Sequence, residues 1–244
     1  MAAEDTPAPV LLWDFDGTLG YRDGGAWTAT LLEVVQRRDP ASLITMDEIR
    51  ATLQSGFPWQ EPEKPHPHLT SADVWWAALA PVLARAFEAV GFGEDAAKVM
   101  AEEVRPTYLA YERWRLFEDV IPTLDALSDE GWAHILLTNH VPELPEILAR
   151  LGVERRFRRV FNSAQMGYEK PHPRAFEMVI ESTKGRRPAW MIGDNYTADI
   201  IGAAAFGIPG ILVRRSHPEA RLCAASLLEV PGIIRGAPAT GGKP

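Results

Sequence analysis

The sequence predicts an α/β fold built on a parallel sheet, with an all-helical subdomain inserted near its start. Three observations predict it. Short apolar runs recur along the chain, helical patterns separate the later runs, and one long stretch after the first run contains no convincing strand.

The first run, Val10 to Trp13, ends at Asp14 and reads as a buried strand. From about Gly20 to Trp114 the rhythm changes. Trp27, Leu31, Val34 and Val35 mark one helix face. Thr45-Met-Asp-Glu48 and Thr70-Ser-Ala-Asp73 each fit a capping box. Helices are expected over residues 71–90 and from 94 to about 105, with the proline-rich residues 60–68 (QEPEKPHPH) as a loop before them. Beyond that, helical patterns at 121–130, 142–151, 173–183 and 197–206 separate strands expected at 132–138, 159–162, 189–193 and 208–213. Two units follow: a core of residues 1–19 and 115–244, and a helical cap of residues 20–114.

The chain has 244 residues, 46% of them hydrophobic, enough to bury a sizeable core. Its net charge of −8 speaks against a nucleic-acid partner, and the arginines at 155, 156, 158 and 159 read as a solvated loop. No apolar stretch is long enough for a membrane helix, and the acidic start lacks the pattern of a signal peptide. One cysteine, Cys223, allows no internal disulfide; this suits the cytoplasm, and Cys223 reads as a small buried residue. The first residues and the tail from Pro231 read as loose ends.

Four short motifs carry chemistry: Asp14-Phe-Asp16-Gly-Thr18, Thr138-Asn139, Lys170 before Pro171, and Gly193-Asp194-Asn195 followed by Asp199. Three of them begin where a predicted parallel strand ends, the edge along which open α/β sheets bind ligands. A phosphoryl group spreads negative charge over its oxygens, so a carboxylate needs help to approach it. Mg2+ takes oxygen ligands and bridges carboxylate to phosphate, and Asp14 and Asp194 supply carboxylates. Lys170 adds positive charge, Thr138 a hydroxyl donor, and the Asn139 amide a helix-start anion contact. Asp16 shares a face with Asp14 while the strand continues. One carboxylate can attack phosphorus while the other gives, then takes, a proton.

In these motifs (DFDGTL, LTN, the lysine before proline, GDNYTAD) the sequence resembles the haloacid dehalogenase-like hydrolase superfamily. The resemblance implies a Rossmann-like core with a cap between the first and second motifs. It implies Asp14 as nucleophile and metal ligand. Asp16 becomes the acid/base and a metal ligand through its backbone carbonyl. Thr138 and Lys170 hold phosphate, Asp194 binds Mg2+, and Asp199 supports the metal site from behind. Dehalogenases of this type lack the second aspartate, so Asp16 favours phosphate chemistry. The implied activity is hydrolysis of a small phosphorylated metabolite. A sugar-phosphate mutase, a dehalogenase and a phosphate-binding module without turnover are the alternatives, and oligomeric state is unread.

Other residues carry bland readings. His66 and His68 read as solvated; Arg22 and Arg85 as surface residues, though either could meet a distal anion; and most cap tryptophans as packing. His140 and His172 flank site motifs, and His140 reads equally as pocket lining or as a capping or surface residue. Lys64 and Lys98 match no Schiff-base lysine pattern.

Overall fold

Alternation along strand β1 (Val10–Trp13) divides the interior in two: Leu11 and Trp13 enter one apolar cluster, and Leu12 enters another. The computed structural model describes residues 8–69 and 71–237. After β1 come β2 (Gly20–Arg22) and the helices α1 (Trp27–Arg38), α2 (Met46–Thr52), α3 (Ala72–Ala89) and α4 (Glu94–Tyr108). Strand β3 (Trp114–Leu116) pairs antiparallel with β2, so the four helices are looped out of a two-stranded ribbon. The chain then runs through α5 (Val120–Asp129), β4 (Ala133–Thr138), α6 (Leu144–Arg150), β5 (Phe157–Asn162), α7 (Ser163–Met166) and α8 (Pro173–Ser182). It ends with β6 (Trp190–Gly193), a π-helical segment (Tyr196–Ile201), α9 (Gly202–Ala204), β7 (Gly210–Val213), β8 (Cys223–Ala224) and α10 (Val230–Gly236).

The main sheet is parallel, in the order β5-β4-β1-β6-β7-β8. From β1 the chain builds outward through β4 and β5 on one side and through β6, β7 and β8 on the other. The carboxyl end of β1, between β4 and β6, is therefore the switch point where such sheets open a crevice. Leu136 and Ile192 join Leu11 and Trp13 on one face; Ile135, Leu137, Met191 and the α8 residues Phe176 and Val179 pack on the other. Each fully buried aliphatic side chain stabilises the fold by roughly 1.5–3 kcal/mol.

The five expected strands and the Thr45–Glu48 capping box agree with the sequence reading, but β2, β3 and β8 are not among the expected strands: β2 and β3 are three residues long, too short to show a period, and lie at the ends of the stretch read as strand-free. Thr70 lies outside the described residues, and Ser71 caps α3 by accepting from Val74 N. Several expectations are corrected. Helix α4 continues past Pro106 to Tyr108, held by the burial of Val104, Thr107 and Tyr108. Arg22 is not a surface residue: it is 2% exposed, and its guanidinium meets both Glu33 oxygens at 3.0 Å and the Thr107 carbonyl at 2.9 Å. Arg158 and Arg159 are exposed on edge strand β5, where charge discourages pairing with another strand, while Arg156 pairs with Asp125. Cys223 is exposed because β8 is a two-residue edge strand. The expected loose tail from Pro231 is instead part of α10, which buries Pro231 and Ile234 in it; residues 238–244 lie outside the described part. Among the described residues no helix is long and apolar enough to cross a membrane.

One buried polar contact ties β1 to β4. Trp13 Nε1 donates to His134 Nδ1 at 3.0 Å, which leaves the ring proton on Nε2, facing the Leu124 carbonyl at 3.2 Å. Burial pushes the His134 imidazole down to about 4 from 6.5. The folded state thus keeps the ring neutral where the unfolded chain takes up a proton. The resulting stability is complete above pH 6.5 and is lost as pH falls toward 4, worth up to about 3 kcal/mol. We expect His134→Leu to lower stability near neutral pH by about 1–3 kcal/mol, through the orphaned Trp13 donor, and to flatten this acid limb. Urea titrations between pH 7.5 and 4 measure both; an unchanged limb refutes the assignment.

Candidate active site

Asp14 continues β1 by one residue, its N–H donating to the Ile192 carbonyl at 2.9 Å. The chain then turns at once: Thr18, Leu19 and Gly20 N–H groups all donate to the Phe15 carbonyl. Gly17 makes this turn with φ +75°, and a Cβ there would lie 2.5 Å from Asp194 Oδ2. The glycine therefore lets the loop after β1 press against the carboxylate after β6.

Thr138 ends β4, fully buried, and its Oγ1 has no hydrogen-bond partner among the described residues. Buried hydroxyls are normally paired, so this one marks a place for an acceptor that is not part of the chain. Asn139 acts otherwise than expected. Helix α6 begins only at Leu144, and the Asn139 side chain clamps the lysine segment: Oδ1 accepts from Lys170 N at 2.7 Å and Nδ2 donates to Lys170 O at 2.9 Å.

Lys170 is 3% exposed, and its Nζ lies 2.8 Å from Asp14 Oδ1 and 2.5 Å from Asp199 Oδ1. Burial works to lower its pKa, but the two carboxylates outweigh it and hold the ammonium above its ordinary range. Asp199 uses its second oxygen to accept from Asn195 N at 2.9 Å, and a Cβ at Gly193 would overlap the same carboxylate. The Asn195 side chain caps the following π-helical segment through Thr197 and Ala198 N–H groups. Asp194 is 8% exposed and its Oδ2 meets Arg215 Nε at 2.8 Å. Burial, then Asp14, raises the Asp194 carboxyl to about 6, against the pull of Arg215.

Asp16 stands at the mouth, its side chain 37% exposed, with Oδ2 3.6 Å from His140 Nε2. Desolvation, then the charges of Asp14 and Asp194, hold its pKa well above the usual carboxylate range. His140 is buried and burial pushes it down to about 4, so it faces Asp16 as a neutral ring. Asp14, Asp16, His140, Lys170, Asp194 and Asp199 line a cleft of about 350 Å³, whose other wall includes Trp27, Trp59 and Tyr108 from the α1–α4 stretch.

Asp14, Asp194 and Asp199 offer oxygens within 4.8 Å of one another. The donors are all hard oxygens, and Asp194, raised first by burial and then by the charge of Asp14, is a carboxylate whose ionised form a divalent cation would stabilise, so the residues fit Mg2+. Asp199 has both oxygens engaged at 2.9 Å or less, whereas Asp14 Oδ2 has only the Thr18 hydroxyl at 3.5 Å and Asp194 is held through Oδ2 alone, which leaves Asp14 and Asp194 as the freer pair.

Every residue singled out by the motifs thus meets at one sheet edge. His66, read as solvated, is buried: its Nε2 lies 3.0 Å from Glu169 Oε1 and its N–H donates to the Gly167 carbonyl at 2.8 Å. His172 caps α8, and Trp75 and Trp114 are buried packing as expected. Sequence reasoning missed Arg215 and Glu143. Arg215 follows the end of β7, so the strand-end rule that located Asp194 was a usable signal. Glu143 accepts from Trp76 Nε1 at 3.1 Å and Arg105 Nε at 2.9 Å, a long-range contact with no local signature.

Comparison with known proteins is consistent with this geometry. A family model for haloacid dehalogenase-like hydrolases matches residues 9–207. A phosphoserine phosphatase of Thermus thermophilus is 33% identical over 142 residues, covering 57% of this chain and 55% of its own. A glyceraldehyde 3-phosphate phosphatase of Methanothermobacter thermautotrophicus is 33% identical over 109 residues, 43% of this chain and 48% of its own. The chain thus spans about half the length of these relatives. Among solved structures, the magnesium-bound HAD-hydrolase YfnB of Bacillus subtilis is similar in fold, with TM-score 0.70, 20% identity, and coverage of 94% of this chain and 99% of that one. With the switch-point site and a family match over most of its length, the chain belongs to the haloacid dehalogenase-like hydrolases.

Proposed function

We propose that the protein is a Mg2+-dependent phosphatase that hydrolyses a small phosphate monoester through an aspartyl-phosphate on Asp14. The observation that carries this reading is the pair of unlike carboxylates: Asp14 against the Lys170 ammonium at 2.8 Å, and Asp16 with raised pKa beside neutral His140. Two carboxylates with different environments suit a nucleophile and a general acid. Relatives named as phosphatases support it by similarity. We assign residues 20–114 as cap over a core of 1–19 and 115–244; the looping of α1 to α4 out of the β2–β3 ribbon supports this division.

Asp14 attacks phosphorus, and Asp16 gives its proton to the departing alkoxide oxygen. Lys170 and the unpartnered Thr138 hydroxyl offset the charge on the phosphoryl oxygens. Asp16, now a carboxylate, takes a proton from water, which attacks the aspartyl-phosphate, releases inorganic phosphate and restores Asp14. Asp14 and Asp194 would hold Mg2+, which when bound neutralises phosphate charge. Asp199 orients Lys170 and the segment after Asp194.

Asp14→Asn is expected to lower turnover by at least about a thousandfold, and EDTA to abolish activity that Mg2+ restores. Release of inorganic phosphate with Mg2+, using Asp14→Asn as control, tests both; full activity in either case overturns the mechanism. Asp16→Asn is expected to slow an alkyl ester far more than 4-nitrophenyl phosphate, whose leaving group needs no proton. The comparison is made on kcat/KM, which reports transfer to Asp14 and not the later water step that both esters share; equal losses in kcat/KM would remove Asp16 as the acid.

Asn139→Ala should lower kcat by about tenfold or more, because the lysine segment loses both clamp bonds. Steady-state kinetics beside thermal melting checks this; wild-type kcat refutes the clamp.

A further inference from the structure

The cleft wall supplied by α1 to α4 and their loops is aromatic. Trp27, at the start of α1, lies 5.4 Å from Trp59 and 4.6 Å from Tyr108, ring centre to ring centre. Phe57 stacks behind Trp59 at 4.6 Å and braces it. Trp27 and Trp59 remain only half-buried despite this packing, and both line the cleft. Most of the other tryptophans near this wall are in the core: Trp75 and Trp114 are 1% and 2% exposed.

The charges lining the cleft are equally one-sided. Four aspartates face it, and among the described residues Lys170 is the one lysine or arginine on its lining. Lys170 is already bound by Asp14 and Asp199. Arg22 and Arg105 of the α1–α4 stretch are engaged elsewhere: Arg22 with Glu33, and Arg105 with Glu143 and Asp73. A carboxylate or second phosphate on the leaving group would lose its water against indole rings, near like charges; among the described residues no further lysine or arginine is on the cleft lining to receive it, and Arg215, beyond Asp194, is already paired with that carboxylate. A flat uncharged ring would instead gain stacking area at no electrostatic cost. The volume, about 350 Å³, is near the lower end for small-molecule sites and admits a small ring system, not a polymer.

We propose that the substrate is a phosphate monoester of an uncharged alcohol bearing an aromatic ring, held against Trp27 and Trp59, and that monoesters with an anionic leaving group are rejected. This rests on the phosphatase reading above and adds the class of leaving group. It separates the chain from its phosphoserine phosphatase relative, whose named substrate carries a carboxylate.

The test compares 2-phenylethyl phosphate with 3-carboxypropyl phosphate, both alkyl esters, on the full chain with Mg2+. The aromatic ester is expected to show kcat/KM at least about tenfold higher. Trp59→Ala should erode that advantage mainly through KM, Trp59→Phe should keep it, and Trp59→Arg should shift preference toward the carboxylated ester. Binding of both esters to Asp14→Asn by calorimetry separates the two readings. If neither ester is hydrolysed yet the aromatic one binds at least about tenfold tighter, the phosphatase reading alone fails. If hydrolysis occurs and depends on Asp14 but the carboxylated ester is equal or better, or Trp59→Ala leaves the ratio unchanged, the leaving-group proposal is overturned.

Discussion

The site depends on one buried ammonium. Asp14, Asp194 and Asp199 are each less than a tenth exposed and crowd the end of the same sheet. Buried carboxylates that repel one another cost several kcal/mol unless a cation stands among them. Lys170 is that cation within the chain, bridging Asp14 and Asp199. Much of the local architecture holds it there. Asn139, just after β4, grips its backbone from both sides. Gly167 turns with φ +78° and lets Pro67 approach where a Cβ would lie 2.5 Å from the proline Cα. Glu169, its immediate neighbour, is pinned by His66. The lysine segment is thus fixed by β4 beneath it and by the 60–68 loop beside it.

What was legible in the sequence follows from the same geometry. Parallel strands buried on both faces read as short apolar runs, and their carboxyl ends are where polar residues converge. Asp14, Thr138 and Asp194 could therefore be placed together without knowing any distance. The unreadable features depend on partners far along the chain. His66 looks like a loop histidine until Glu169, 103 residues later, is brought beside it. Arg22 looks exposed until α1 and α4 enclose it with Glu33 and Thr107. The β2–β3 ribbon consists of three-residue strands, too short to carry a period, and exists only because its halves meet across four helices. Cys223 misled in the opposite direction: an alanine-rich setting suggested burial, but the sheet ends there.

The two walls of the cleft answer different physical demands. The sheet edge concentrates charge, and its rigidity comes from backbone pairing and from glycines that let carboxylates approach closely. The helical stretch offers indole and phenol rings held by one another rather than by polar contacts. Polar contact between the two includes Trp76 and Arg105 on Glu143 and His66 on Glu169, while within the cleft Tyr108 meets His140 ring to ring. The polar groups that join the two walls are therefore spent on each other, and the surface left facing a ligand on the helical side is largely apolar.

This separation also explains how two aspartates two residues apart come to differ. Asp14 lies on the last step of β1, inside the sheet edge, where Lys170 reaches it. Asp16 lies two residues further, past the point where the strand ends, and its Oδ2 faces, at 3.6 Å, a histidine that burial keeps neutral. Desolvation and the charges of Asp14 and Asp194 then act on Asp16 without a bonded cation, and its pKa is raised. The difference requires no special residue type. It follows from where each stands: Asp14 on the last step of β1 with Lys170 Nζ at 2.8 Å, Asp16 past the strand end with no ammonium bonded to it.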